Sequence, residues 1–251
     1  MNTPEWNECI ELLANSVKDK PIIRGSQPNR VAVILEPRDH PVVYNLLRWT
    51  IHLLAPEGWR FIVYVGTNTA EKIQNLVTEL EVEDWVTISH LGRDNLTTKE
   101  YSNIFMSPLF WENIPQEHIL IFQSDSVLLD GKLDQFLSYD YVGAPWSDYM
   151  VHLIKLPTSV GNGGLSLRRK SGMLRAINSK FPMSRKMDGY PEDLYFAYRR
   201  RQLLNIPSAE VAIQFSVEGK FYESPRGYHK PWIYMPENME SIYARIKSKT
   251  N

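Results

Sequence analysis

Short apolar runs rich in β-branched residues alternate with segments of helical period through the first half of the chain, and this alternation limits the fold more than any other feature. The runs are VAVIL from Val31, FIVYVG from Phe61, VTISHL from Val86 and HILIFQ from His118. Between the first two, Val42, Val43, Leu46, Leu47, Ile51 and Leu54 recur at the spacing of one helical face, and Ala70 to Leu80 repeats the pattern more weakly. Strands joined through helices must cross over, so the expected class is α/β: a mixed, mostly parallel sheet flanked by helices on both faces.

Thr97 and Glu100 have capping-box spacing ahead of an aromatic-rich helix that Pro108 is expected to kink or split, and Pro115 marks the turn into the fourth strand. Past Asp130 the rhythm changes. YVGAPW and VGNGGLSL read as segments where backbone comes close to something, since glycine allows that approach. Pro191 reads as the first-turn residue of a helix continuing through Leu203, with arginines 199 to 201 near its end. From Met235 onward the spacing predicts a surface helix with a polar terminus.

Composition narrows function mainly by exclusion. With 28 basic and 29 acidic side chains the formal net charge is −1, so no global field gathers nucleic acid or anionic membrane, and any phosphate binding must be local. The single Cys9 has no partner for an internal disulfide and falls among apolar residues of an N-terminal helix. The opening MNTPEWNECIELLANSVKD carries acidic residues where a signal peptide needs a cationic start, and no segment reaches membrane-spanning length; the chain is read as cytoplasmic. At 251 residues with 43% hydrophobic content, one domain is expected.

Four blocks could carry chemistry. In ILIFQSDSVLL an apolar strand stops abruptly at Gln123, Ser124 and Asp125, and the carboxyl ends of strands face the ligand crevice in open α/β sheets. Asp125 there could hold a hard divalent cation, or simply close a turn with Ser126. VGNGGLSLR sets glycines around Asn162, whose amide can donate and accept toward sugar hydroxyls; the plain alternative is a tight turn. No phosphate-loop spacing occurs. PEDLYF puts Glu192 and Asp193 in a helix first turn, where dipole stabilisation is the ordinary explanation and general-base catalysis the functional one. In SPRGYHKPW, Pro231 denies the segment a regular helix, so Arg226, His229 and Lys230 are expected on an irregular loop, where His229 could be a metal ligand or packing, and Lys230 a phosphate clamp.

In this order the blocks resemble GT-A glycosyltransferases, and closely a glycosyltransferase-like family with FQ-S/T-D, YVGAPW, VGNGGLSLR, an ED pair and HKPW, over roughly Val31 to Trp232. The resemblance implies a GT-A-like catalytic domain over 1–251: an N-terminal helical extension (1–30), a nucleotide-binding half (31–130), an acceptor and catalytic half (131–232) and a C-terminal tail (233–251). It implies a UDP- or GDP-sugar donor, a glycan or other hydroxyl acceptor, and a divalent metal, Mn or Mg, held by Asp125 and His229. Gln123-Ser124-Asp125 stands where that group has its DxD motif, with the first carboxylate replaced by an amide. By the same resemblance Glu36, Pro37, Arg38, Gln123, Ser124 and Lys230 border the nucleotide and diphosphate, while Trp146, Asn162, Gly163 and Gly164 line the sugar and acceptor region. Glu192-Asp193 is similar to the xED motif of inverting enzymes, which makes Asp193 the base. The GxxKPW spacing from Gly227 is similar to that of retaining transferases, whose histidine precedes the glycine where this chain has Pro225. The alternatives are a retaining transferase, a sugar-phosphate nucleotidyltransferase, whose usual Gly-rich loop VAVILEPRDH lacks, and a catalytically silent nucleotide-sugar-binding module.

Overall fold

The apolar runs pair as the alternation predicts. A computed structural model describes residues 2–27, 29–156, 159–180 and 190–250. In chain order the first half comprises α1 (Pro4–Val17), β1 (Arg30–Leu35), α2 (Val42–Leu54), β2 (Arg60–Val65), α3 (Ala70–Glu79), β3 (Val86–His90), α4 (Thr98–Met106), α5 (Pro108–Glu112) and β4 (His118–Phe122). The second half adds β5 (Ser126–Leu128), β6 (Tyr141–Gly143), α6 (Asp148–Leu153), β7 (Leu165–Arg169), α7 (Lys170–Ile177), α8 (Glu192–Leu194), α9 (Ala209–Phe215), β8 (Ser216–Val217), β9 (Gly227–His229), α10 (Pro231–Tyr234) and α11 (Met239–Lys247).

The main sheet has the order β3-β2-β1-β4-β7-β6. β1 to β4 run parallel, and β7 enters antiparallel beside β4 with Phe122 opposite Leu165. Side chains alternate across a strand, so each strand feeds two cores. Ala32, Ile34, Leu120 and Phe122 pack with Trp6, Leu46 and Ile73 of α1 to α3, while Val31, Val33, Ile119 and Ile121 pack with Phe105, Trp111, Met173 and Phe196 on the other face. Burial on both faces explains why these strands are continuous apolar runs. The capping box at Thr97 and Glu100 forms, and Pro108 splits the aromatic segment into α4 and α5 at Ser107.

A second sheet, ordered β5-β9-β8, sits past the end of β4. β5 and β9 pair antiparallel with Ser126 opposite His229, which brings the end of the first half against the SPRGYHKPW segment. His229 is therefore a buried strand residue, and Pro231 opens the short helix α10, whose first turn suits a fixed φ and a missing N–H. This corrects the expectation of an irregular loop.

The helix expected from Pro191 to Leu203 is also different. Pro191 precedes α8, and the chain then widens into a π turn over Tyr195–Arg199, where the Arg200 N–H donates to Tyr195 O at 3.0 Å, and tightens to a 3-10 turn over Arg201–Leu203. Tyr195, Phe196 and Ala197 are all buried. Three successive residues span about 200° of a regular α-helix, more than one buried stripe, and the wider turn accommodates them. Helix α11 is amphipathic, burying Ile242 and Ile246 in the core shared with α1. Among the described residues no helix is long and apolar enough to cross a membrane.

Candidate functional site

Two cavities open where β1 and β4 end and the second sheet begins. The larger, about 370 Å³, is bounded by Leu35–Arg38 after β1, Leu96–Thr98 and Tyr101 around the start of α4, Gln123–Asp125 after β4, and Lys230. The smaller, about 170 Å³, is bounded by Trp146, Asn162, Pro191, Asp193, Glu218 and Tyr234, with Ser147, Met150 and Leu194 completing it.

In the larger cavity the polar groups are already organised. Glu36 is buried and accepts Arg38 Nε on Oε1 at 2.7 Å and Nη2 on Oε2 at 2.6 Å, and Ser124 Oγ also donates to Oε2 at 3.0 Å. The Gln123 amide donates to the Tyr101 hydroxyl at 2.8 Å. Ser126 closes the turn after β4, its Oγ accepting from Gln123 N–H at 3.1 Å, so Asp125 is left to face the cavity.

Asp125 Oδ2 lies 3.1 Å from Lys230 Nζ, and Oδ1 lies 3.3 Å from His229 Nε2. On the far side of the ring, His229 Nδ1 lies 3.2 Å from Glu218 Oε1. The two ring contacts have ion-pair distances without hydrogen-bond alignment. Burial alone drives the imidazole toward neutrality, but the flanking carboxylates of Asp125 and Glu218 prevail and push it up to about 9. Burial likewise opposes ionisation of Asp125, and His229 followed by Lys230 overcome it, holding the carboxyl well below its usual range. The result is a charged chain, Asp125–His229–Glu218, with one end in each cavity.

Gly164 makes room for this ring: a Cβ there would overlap Nε2 and Cε1 of His229. Gly164→Ala is expected to destabilise the protein by about 1–3 kcal/mol through overpacking; an unchanged melting temperature would count against this role. Gly163 stands equally close to Glu192 and Arg168, and Asn162 accepts the Gly164 N–H at 3.1 Å. The glycine block thus lies behind Asn162, which alone of the three lines the smaller cavity.

The two adjacent carboxylates diverge. Glu192 is buried and pairs with Arg168, Nη2 donating to Oε1 at 3.0 Å and Nη1 standing 3.0 Å from Oε2. Arg168 is 1% exposed and its guanidinium stacks within 4.9 Å of the Tyr141 ring centre and 5.3 Å of that of Phe105. Asp193 instead faces the smaller cavity and accepts one hydrogen bond, from Leu194 N–H at 2.7 Å. Burial, then the neighbouring Glu192, push its carboxyl up to about 7. Two participants escaped sequence reasoning: Tyr101, hidden in an aromatic helix pattern, and Glu218, whose signal is the same as that of Asp125, a lone carboxylate ending the apolar run FSV.

The donors do not fit the divalent metal expected on Asp125 and His229. Both imidazole nitrogens face carboxylates, both Asp125 oxygens face cations, and among the described residues no three His, Cys, Asp or Glu side chains converge to hold an ion.

No curated protein sequence matches the chain. Among solved structures, the inositol-1-phosphate CTP transferase from T. maritima is 11% identical, with 91% of this chain and 98% of that chain covered and a TM-score of 0.50, a likeness of fold. The mannosyltransferase PcManGT from Pyrobaculum calidifontis, in complex with GDP-Man and Mn2+, is 12% identical over 81% of this chain and 62% of its own, with a TM-score of 0.49. S. aureus TarS 1-349 is 10% identical over 86% and 65%, with a TM-score of 0.47. Residues 86–229, from β3 through His229, match the family described as "Protein of unknown function (DUF5672)". That span is more than half of the sequence and contains Asp125, Asp193, Glu218 and His229, so the chain belongs to this family.

Proposed function

We propose that the protein is a glycosyltransferase that takes a sugar from a nucleotide-sugar donor and passes it, with inversion, to a hydroxyl acceptor. The observation that carries the reading is a carboxyl pushed up to about 7 in a small cavity, beside a larger cavity at the strand ends that presents Lys230 and Arg38. The donor lies in the larger cavity, its nucleoside toward Glu36, Pro37 and Tyr101 and its diphosphate toward Lys230. The acceptor enters the smaller cavity between Trp146, Asn162 and Tyr234. As the acceptor oxygen forms its bond to the anomeric carbon, the bond from that carbon to the diphosphate breaks, Asp193 takes the hydroxyl proton, and Lys230 stabilises the charge gathering on the leaving nucleotide. A base with a pKa near neutrality combines a large ionised fraction with useful proton affinity. Glu192 positions this base through Arg168 and touches no substrate.

Incubation with UDP- and GDP-sugars and simple glycans, followed by mass spectrometry, tests the reading. The expected product is the acceptor heavier by one glycosyl unit, with nucleoside diphosphate released. Donor binding with neither transfer nor hydrolysis would make the chain a binding module. Consumption of a nucleoside triphosphate with a sugar 1-phosphate would make it a nucleotidyltransferase, and no nucleotide binding at all would sink the reading.

A further inference from the structure

We propose that the donor diphosphate is bound by the Lys230 ammonium, and that no divalent ion bridges it to Asp125. The inference rests on the nucleotide-sugar reading and fixes how that site recognises phosphate.

Asp125 is the only carboxylate of Gln123-Ser124-Asp125, and its two oxygens are divided between Lys230 Nζ at 3.1 Å and His229 Nε2 at 3.3 Å. A hard cation needs oxygen donors free of competing neighbours, and one entering here would meet the Lys230 ammonium and the His229 ring already in contact with the two oxygens. The other carboxylate of the cavity is committed as well, Glu36 to Arg38 and Ser124.

The cations, by contrast, are fixed in place. The His229 ring is wedged against Gly164 and held on its other nitrogen by Glu218, so it has nowhere to turn. Lys230 adopts left-handed backbone, φ 44° and ψ 41°, a conformation few side chains other than glycine take without strain. Its N–H donates to Asp125 O at 3.1 Å and Pro231 follows it, so the strained turn aims the side chain, 34% exposed, into the cavity. Glu36 holds Arg38, and Asp125 faces both His229 and Lys230, so Lys230 is the cation of the lining that is aimed into the cavity for a phosphate. Lys230 is thus a phosphate-binding residue, and Asp125 a positioning residue that orients it.

Calorimetry on the full chain freed of metal with EDTA, using UDP and GDP as probes, tests this. Binding of at least one nucleotide is expected in EDTA, with affinity changed less than about 3-fold by added Mn2+. Lys230→Ala is expected to weaken that binding at least 10-fold in EDTA, and Lys230→Arg to restore most of it. Mn2+ titrated into the wild-type chain without nucleotide should keep its free-ion electron paramagnetic resonance signal. Nucleotide binding by the wild type that appears only with Mn2+ overturns the inference and leaves the transferase reading standing. Binding of neither nucleotide under either condition overturns both.

Discussion

Asp193→Asn is expected to cut glycosyl transfer by about 10²- to 10⁴-fold while donor affinity stays within a few-fold, the loss typical of removing a positioned general base. The same substitution should make the protein more stable. Burial and the Glu192 charge hold the Asp193 carboxyl up at about 7, so the folded state keeps a proton that the unfolded chain sheds near pH 4. Stability from this group is fully present below the unfolded pKa and is lost as pH rises to about 7. Asparagine ionises at no pH, so the variant should gain on the order of 2 kcal/mol over wild type at pH 8 and nothing at pH 3.5. Turnover of the wild type should climb as pH passes through about 7, where the base ionises. Activity near wild-type in the variant would remove the base assignment, and equal melting curves at pH 8 would remove the claim that the carboxylate is disfavoured there.

Arg168→Ala is expected to be strongly destabilising, because it breaks a buried ion pair. Removing the guanidinium leaves Glu192 as an uncompensated buried charge, a loss of about 3–5 kcal/mol, and a melting temperature lower by about 10 °C in a chain of this size. It also strips the support beneath Gly163 O, to which Arg168 Nη2 donates at 3.3 Å, and so disturbs the turn that seats His229. The joint replacement Arg168→Met with Glu192→Leu should lose less than Arg168→Ala alone, because no charge is stranded. Thermal denaturation of the variants decides this; a loss below about 1 kcal/mol for Arg168→Ala would mean that water reaches the pair.

The parts of this architecture that could be read from sequence are those whose signal is local. β1 to β4, α2, α3 and the cap at Thr97 follow from periodicity or from two residues at fixed spacing, and the structure has them within a residue or two. The second sheet was not legible because its strands have two or three residues each, too few to show a period. His229 looked like a loop residue for that reason, since its strand exists only through pairing with β5 and β8. At the site, Gln123, Ser124 and Asp125 were nameable as residues ending a strand, Lys230 as a cation beside Pro231, and Glu36, Pro37 and Arg38 through the family resemblance alone; all of them border one cavity. Nothing local, however, separates Glu192 from Asp193. Which carboxylate meets Arg168 and which meets the smaller cavity depends on the turn of α8 and on a guanidinium two dozen residues earlier in the chain.

The pairing of β5 with β9 bears on how the molecule comes into being. Asp125 and His229 are separated by 104 positions, and closing so long a span is an entropic expense met late in folding. A nascent polypeptide with only its first 130 residues outside the ribosome holds all the partners of the four-stranded parallel core and lacks Lys230. Ligand affinity should accordingly be the last property the maturing protein acquires, arriving in one step when the segment ending at Lys230 zips onto the strand that began at Ser126.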